Sequence, residues 1–284
     1  VTIEDLRTGQ QDAFEIHHDL ETTTGDWTNY PRTAARRITR NFGPLRGADI
    51  AFKSDLPLAA GMSSSSALIV TFATVLLQIN ELQIHAEYRA NISTDEELAG
   101  YLGTVENGQT FGTLEGDAGV GTFGGSEDHT AILCSSPSLL KEYAFCPVRH
   151  ERSVSLPENL VFVIGSSGVV AEKTGDALEL YNRASRLAAA VSVALSAARN
   201  KTFAHIAAAL EDVNGDNLRE SISDSRSGQF TVTDMLNRFD QFVVESEEII
   251  PAATEALAIG DIELFGRLVD RSQETGVRLL GNQV

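Results

Sequence analysis

The sequence has few basic residues and few cysteines, and each shortage excludes a class of protein. Lys and Arg together number 22 among 284 residues, against 40 Asp and Glu, so the formal net charge is −18. Because a nucleic-acid backbone requires an extended basic surface, no nucleic-acid partner is expected. The two cysteines, Cys134 and Cys146, are too few for a disulfide scaffold and are expected to be buried free thiols.

Long apolar runs are also missing. The most apolar stretch, residues 67–79, is shorter than the roughly 20 residues that span a bilayer, so no membrane partner is expected. No secretory signal opens the chain, which favours a cytoplasmic location. The chain begins at Val1 and ends on an apolar run, residues 279–284, so it is expected to be a fragment.

The composition that remains, 42% hydrophobic and 22% charged, is typical of a globular protein, and the length suits about two domains. Strand and helix patterns dominate the first half and helices the second, which indicates an α+β arrangement. The expected domains are residues 1–150 and 151–284, joined by a polar link at 150–158. Strands are expected at 46–56, 130–134, 142–147 and 160–165, and helices at 67–80, 94–105, 174–200, 203–213, 233–249 and 262–270.

The most informative segment runs from Leu56 to Ala67 and reads Leu-Pro-Leu-Ala-Ala-Gly-Met-Ser-Ser-Ser-Ser-Ala. Its small side chains let a ligand approach the backbone, and the helix that follows presents free N–H groups and the positive end of its dipole. An acidic protein can hold a triphosphate in this way without a basic patch. A serine-rich N-terminal cap on a buried helix explains the same residues equally well.

The segment has neither the Gly-Lys-Ser/Thr of a Walker loop nor a Gly-x-Gly-x-x-Gly motif. The segment resembles the phosphate loop of the GHMP kinases, in the form found in galactokinases. Further segments resemble the same family in order along the chain: Trp27-Thr28-Asn29-Tyr30, Gly124-Gly125-Ser126-Glu127-Asp128, Tyr181-Asn182-Arg183 and Phe265-Gly266-Arg267-Leu268.

The resemblance implies a two-lobed GHMP kinase fold, with a mixed α/β N-terminal lobe and a helix-rich α+β C-terminal lobe. It also implies ATP and Mg²⁺ as cofactors and a small-molecule sugar as substrate. Ser65 and Glu106 would bind Mg²⁺, Asp128 would face the reacting sugar hydroxyl, and Tyr181 would donate a hydrogen bond to the sugar. The implied ATP-binding residues are Ala59, Ala60, Gly61, Met62, Ser63, Ser64 and Ser65.

Each role has an alternative in the sequence. Glu115 competes with Glu106 as the metal ligand, and Glu127 and Asp117 compete with Asp128. His129 stands where galactokinases usually have Gln, and it is expected to be structural. Two cations, Lys173 and Arg183, are candidates to meet phosphates, although surface positions are more common for such residues.

The resemblance predicts an ATP-dependent sugar kinase acting on galactose or a related sugar. The family's sugar-recognising N-terminal segment and its C-terminal Gly-rich motif have no counterpart here, which fits a fragment. Two alternatives stay open: a catalytically inactive sugar/ATP sensor on the same fold, and a related kinase for mevalonate, homoserine or a phosphorylated isoprenoid. The sequence does not predict an oligomeric state.

Overall fold

A computed structural model describes residues 1–23, 25–56, 61–165, 175–212, 217–223, 225 and 229–281. The chain divides into two compact units. The first comprises Val1–Ser135, Tyr143–His150 and Val163–Leu178, and the second comprises Ser136–Glu142, Glu151–Phe162 and Glu179–Val284. The expected domains at residues 1–150 and 151–284 stay a prediction.

The first unit mixes helices with a small sheet. Its strands are β1 (Thr2–Asp5), β2 (Gln11–Ala13) and β3 (Asp49–Phe52), in the order β2-β1-β3. Strand β1 pairs antiparallel with β2 and parallel with β3. Its helices are α1 (Asn29–Phe42), α2 (Ser64–Ile79), the 3₁₀ turn Leu82–Ile84, α3 (Ala86–Asn91), α4 (Asp95–Asn107) and α5 (Glu127–Cys134).

Helix α2 lies at the centre of the first unit's core. Its residues Ile69, Phe72 and Leu76 are at most 2% exposed, and they belong to one cluster with side chains of α1 and α4. The sequence predicts this helix because an apolar run without charge has to be buried on all sides. Burial fixes the axis of α2, and so fixes the position of its serine-rich N-terminus.

Helix α4 begins where the sequence predicts. Thr94 Oγ1 accepts a hydrogen bond from Glu97 N at 3.2 Å, and the Glu97 carboxylate accepts one from Thr94 N at 3.2 Å. This reciprocal capping box satisfies two backbone donors that the first helical turn leaves open. The cap sets the register of α4, which ends on Glu106 and Asn107.

The second unit is mostly helical. Strands β4 (Leu139–Ala144) and β5 (Arg149–Ser155) form a two-stranded sheet, of which residues 143–150 belong to the first unit. Its core joins α6 and α9 through Leu187, Val191 and Met235. The helices are α6 (Gly175–Arg199), α7 (Ile206–Asp212), α8 (Leu218–Ser223), α9 (Val232–Val243), α10 (Ile250–Ala258) and α11 (Ile262–Thr275), with π-helical segments at Val244–Ile249 and Gly276–Leu280.

The mixed α+β class is confirmed, but several sequence expectations are wrong in detail. The expected strand at 130–134 is helix α5, because acids in its first turn, Glu127 and Asp128, favour a helix N-terminus. The polar link at 150–158 is mostly strand β5. The apolar run at 160–165 forms no strand, since no neighbouring strand in the described part of the chain pairs with it.

Two smaller expectations are also corrected. The strand expected over 46–56 is limited to β3, whose neighbour β1 is only four residues long. Both cysteines are free as expected, but only Cys134 is buried and Cys146 is exposed.

Candidate functional site

The serine-rich segment forms the start of helix α2. Gly61 has φ 69° and Ser63 has φ 53°, so the backbone turns sharply just before Ser64. The Ser63 side chain makes no capping hydrogen bond, which differs from the alternative of a serine cap. The first N–H groups of any α-helix lack an intrahelical acceptor and can bind an anion. Ala59 and Ala60 lie outside the described residues.

Three polar side chains meet at this helix start, one from each of α2, α4 and α5. Ser66 Oγ donates a hydrogen bond to Glu106 Oε2 at 2.9 Å and lies 3.4 Å from Asp128 Oδ2. Ser66 and Glu106 are only 1% and 6% exposed, while Asp128 is half-buried. The structure therefore brings together two of the acids that the sequence singles out.

Ser66 is a member of this group that the sequence analysis did not single out. The neighbouring Ser65, expected as the metal ligand, is hydrogen-bonded through its side chain to Tyr30. Burial raises the pKa of the Tyr30 phenol, and the negative charge of Glu106 raises it further. Of the two neighbouring hydroxyls, that of Ser66 contacts Glu106 and that of Ser65 contacts Tyr30, and a run of four serines carries no signal that distinguishes them.

Close packing of α4 and α5 fixes the separation of the two acids. Gly103 faces the backbone of Ser126, and a Cβ at position 103 would lie 2.8 Å from the Ser126 Cα. Only glycine permits this approach. Gly103 lies one turn before Glu106, and Ser126 lies two residues before Asp128. The contact between them therefore sets how far apart the two carboxylates lie.

We expect Gly103→Ala to destabilise the protein by about 1–3 kcal/mol through overpacking, although alanine ordinarily favours a helix. The matched control is Gly266→Ala in α11, where a Cβ meets nothing within 4 Å. This change should stabilise by up to about 1 kcal/mol. Urea unfolding followed by circular dichroism measures both. Equal effects at the two positions would contradict the close contact.

The glycine-rich loop, residues 112–125, is held by helix α1. Arg36 Nε lies 2.7 Å from Asp117 Oδ2, and its Nη2 donates to Gly119 O at 3.2 Å. The fully buried Arg37 donates to Leu114 O at 3.4 Å. These two arginines thus fix the position of a loop that has no regular secondary structure.

The same contacts separate the alternatives for Glu106 and Asp128. Asp117 is buried against Arg36 and has no contact with Glu106 among those described. Glu115 is exposed, and so is Glu127 beside Asp128. The geometry therefore favours Glu106 and Asp128 as the acids of one site.

His129 is the other residue that the sequence analysis set aside. It is 1% exposed, and its Nε2 lies 3.3 Å from Glu106 Oε2. Thr122 Oγ1 adds a longer contact, 3.4 Å from Glu106 Oε1. Neither contact follows from a sequence pattern, because the loop between α4 and α5 brings these residues back to Glu106.

The remaining candidates belong to the second unit or lie outside the described part. Tyr181 is on α6 and 39% exposed. Arg183 pairs with Asp234, with Nη2 2.9 Å from Oδ1, so its charge already has a partner. Lys173 lies outside the described residues.

The donor set suits a hard cation only in part. Mg²⁺ prefers oxygen ligands and is commonly held by one or two carboxylates together with substrate phosphates. Glu106 and the serine hydroxyls fit this chemistry. Within the described ranges, however, no three His, Cys, Asp or Glu side chains group so as to hold a metal ion. The protein side chains would thus be a partial shell that phosphate oxygens complete.

None of the helices in the described ranges is long and apolar enough to cross a membrane.

Comparison with known proteins identifies relatives of most of the chain. Residues 29–125 match the family described as GHMP kinases N terminal domain. The galactokinase of Chloroflexus aggregans is 28% identical over 268 residues, which cover 93% of this chain and 59% of that protein. The galactokinase of Chloroflexus aurantiacus is 27% identical over 271 residues, covering 95% and 60% respectively.

The galactokinase of Dictyostelium discoideum matches a shorter stretch and is 27% identical over 161 residues, which cover 55% of this chain and 28% of that protein. The chain spans about three fifths of the length of the two bacterial relatives. The matched family segment, residues 29–125, includes α2 and Glu106 and ends just before Asp128.

Proposed function

We propose that this chain, which is similar to galactokinases and matches the GHMP kinase N-terminal domain over residues 29–125, transfers the γ-phosphate of ATP to a hydroxyl of galactose or a related sugar. The observation that carries the proposal is the meeting of Ser66, Glu106 and Asp128 at the start of α2. The expected cytoplasmic location is part of the same proposal.

The start of α2 would bind the phosphates. Its first N–H groups point out of the helix, and apart from Gly61 and its chain neighbours no described atom lies within 4 Å of the position where a Cβ of Gly61 would be. A phosphate can therefore approach the backbone closely. The residues proposed to bind the ATP phosphates are Ala59, Ala60, Gly61, Met62, Ser63, Ser64 and Ser65, of which Gly61 to Ser65 are in the described part.

Glu106 and the hydroxyls of Ser65 and Ser66 would hold Mg²⁺. When bound, Mg²⁺ would neutralise charge on the phosphate oxygens, which is most of what phosphoryl transfer requires of a protein. Glu106 is pre-oriented for this role by its hydrogen bond from Ser66. Burial of Glu106 strengthens its attraction for a cation, since the surrounding dielectric is low.

Asp128 would receive the sugar. Its half-buried carboxylate is the one acid of the site that the solvent reaches, so an incoming hydroxyl can donate a hydrogen bond to it. The carboxylate would orient this hydroxyl and accept its proton as the sugar oxygen bonds to the γ-phosphorus and the bond from that phosphorus to the bridging oxygen breaks, releasing ADP. Tyr181 is proposed as a further hydrogen-bond donor to the sugar.

An assay of ADP formation with a sugar panel tests the proposed activity. The complete gene product is incubated with ATP, Mg²⁺ and either galactose, another hexose, mevalonate or homoserine. We expect ADP formation that requires both Mg²⁺ and a sugar. ATP binding without ADP formation would indicate a sensor, and turnover with mevalonate or homoserine alone would contradict a sugar kinase.

Substituting each serine separately tests the metal-binding role of the two hydroxyls. Ser66→Ala removes the donor to Glu106, whereas Ser65→Ala removes the partner of Tyr30. We expect each variant to raise the Mg²⁺ concentration that gives half-maximal activity by about tenfold. Loss of a metal ligand, or of the group that hydrogen-bonds to a ligand, commonly has an effect of this size. Ser223→Ala on α8 is the control, because its exposed hydroxyl donates to Arg219 O of its own helix, and it should leave the Mg²⁺ requirement unchanged. An unchanged Mg²⁺ requirement in both variants would exclude these hydroxyls.

A further inference from the structure

The turn that leads into helix α5 is held to the end of helix α4 by the side chain of Asn107. Asn107 Nδ2 donates a hydrogen bond to Gly124 O at 2.8 Å, and Asn107 Oδ1 accepts one from Gln109 N at 2.9 Å. A side-chain amide has one donating and one accepting end, so these two contacts together fix which way it faces. Asn107 is half-buried and directly follows Glu106 along the chain.

Residues 124–126 form the path into α5, and contacts from outside the path hold each of them. The Asn107 amide holds the first, and Gly103 packs on the third. A Cβ on Gly125 would lie 2.5 Å from the Phe145 ring, so this ring packs directly on the glycine backbone. Because two successive glycines impose little conformational preference of their own, the direction of the path depends on such contacts.

The Asn107 amide connects the two acids of the proposed site by a short route. Asn107 is the chain neighbour of Glu106, and Gly124 lies four residues before Asp128. The backbone of Glu106 also holds the loop before this turn, because Val120 N donates to Glu106 O at 2.9 Å. A misplacement of about 1 Å can lower the rate of a reaction by about 100-fold, so the route can matter for catalysis.

We propose that Asn107 is a positioning residue that places Asp128 relative to Glu106 for phosphoryl transfer. The inference rests on the proposed function, since it takes Asp128 as the group that receives the proton of the sugar hydroxyl. Asn107 touches no reacting atom in this role. Its amide holds Gly124 O, and the turn that follows sets the position of the Asp128 carboxylate.

Two substitutions separate the link to Gly124 from the end of helix α4. Asn107→Asp keeps the acceptor for Gln109 N and removes the donor to Gly124 O, whereas Asn107→Ala removes both. A residue that only ends the helix is replaced well by Asp, whereas a positioning donor is not. Gln109→Glu adds the same charge at an exposed position two residues away, so it controls for charge.

The test measures ADP formation by the complete gene product at saturating ATP, Mg²⁺ and sugar. We expect both Asn107 variants to lower kcat by about 10- to 100-fold, while the affinity for ATP with Mg²⁺ stays within about threefold. Gln109→Glu should keep kcat within about twofold, as is usual for surface substitutions.

A double-mutant cycle with Asp128→Asn separates positioning from a merely structural role. If Asn107 acts through the Asp128 carboxylate, Asn107→Asp should lower kcat by less than about twofold once that carboxylate is gone. A structural role would lower kcat by the same factor in both backgrounds. Hydrogen exchange of peptides that cover residues 121–134 tests the link without turnover, and it should be faster in Asn107→Asp but not in Gln109→Glu.

Full kcat in Asn107→Asp, unchanged hydrogen exchange in that variant, or an equal loss of kcat in the Asp128→Asn background would each overturn the inference. An equal loss in Gln109→Glu would also overturn it, because charge alone would then explain the effect. If the unsubstituted protein forms no ADP with any sugar, the proposed function is refuted, and this inference with it.

Discussion

Replacing Asp128 by Asn is expected to abolish sugar phosphorylation while nucleotide binding survives. The amide keeps the size of the carboxylate but cannot accept the proton of the attacking hydroxyl. A positioned base contributes on the order of 10²- to 10⁴-fold to rate, so kcat should fall by that factor. The affinity for ATP with Mg²⁺ should change only a few-fold, because Glu106 and the start of α2 are untouched.

The matched control is Glu127→Gln, which makes the same chemical change at the adjacent exposed acid. We expect Glu127→Gln to retain full turnover, since Glu127 is exposed, whereas Asp128 is half-buried beside Ser66. Both variants are assayed for ADP formation with the sugar that the unsubstituted protein uses. Normal turnover in Asp128→Asn, or loss of turnover in Glu127→Gln, would contradict the assignment.

The second large effect concerns the buried arginine under the glycine-rich loop. Arg37 has no exposed side-chain surface, donates to Gln109 O at 2.6 Å and lies 3.8 Å from Asp117. Burial lowers the pKa of its guanidinium, and the nearby Asp117 and Tyr101 partly offset that effect. Removing one partner of a buried ion pair typically destabilises a protein by about 3–5 kcal/mol, and Arg37→Met should fall in this range.

Arg40→Met is the control on the same helix. Arg40 is exposed and makes one described hydrogen bond, to Gly116 O at 3.3 Å, so its loss should cost less than about 1 kcal/mol. Urea unfolding followed by the fluorescence of Trp27, the single tryptophan, reports on the first unit. Similar unfolding free energies for the two variants would show that the loop does not depend on the buried guanidinium.

Local sequence patterns predicted the elements that local chemistry determines. Thr94 and Glu97 form the capping box that their spacing indicates, and the apolar run after Ser66 is a buried helix. Both signals lie within a few residues of chain, so no tertiary contact is needed to read them. For the same reason, Glu106 at the end of its helix could be found from the sequence and the family resemblance.

Predictions from the sequence were wrong where secondary structure depends on a partner that is distant along the chain. Residues 160–164 are apolar like a strand, but a strand exists only where another strand satisfies its backbone groups. The run 130–134 has the composition of a strand, yet the acids before it start a helix that packs on Gly103. Such outcomes are decided by tertiary packing rather than by local propensity.

The site itself shows the same division. Its acids could be chosen from the sequence, and the structure brings Glu106 and Asp128 together, but their catalytic roles stay predictions. The hydroxyl between them, Ser66, and the imidazole of His129 were missed because only the crossing of three helices places them there. Contacts of this kind have no signature along one chain.

The central claim is that the start of α2, Glu106 and Asp128 form a site for ATP with Mg²⁺. Isothermal titration of the chain with ATP, with and without Mg²⁺, tests it most directly when Glu106→Gln is titrated alongside. We predict binding that Mg²⁺ strengthens at least tenfold, and a loss of this Mg²⁺ effect in Glu106→Gln, since a neutral amide is a poor ligand for a hard cation. Absence of ATP binding, or a Mg²⁺ effect unchanged by Glu106→Gln, would contradict the claim.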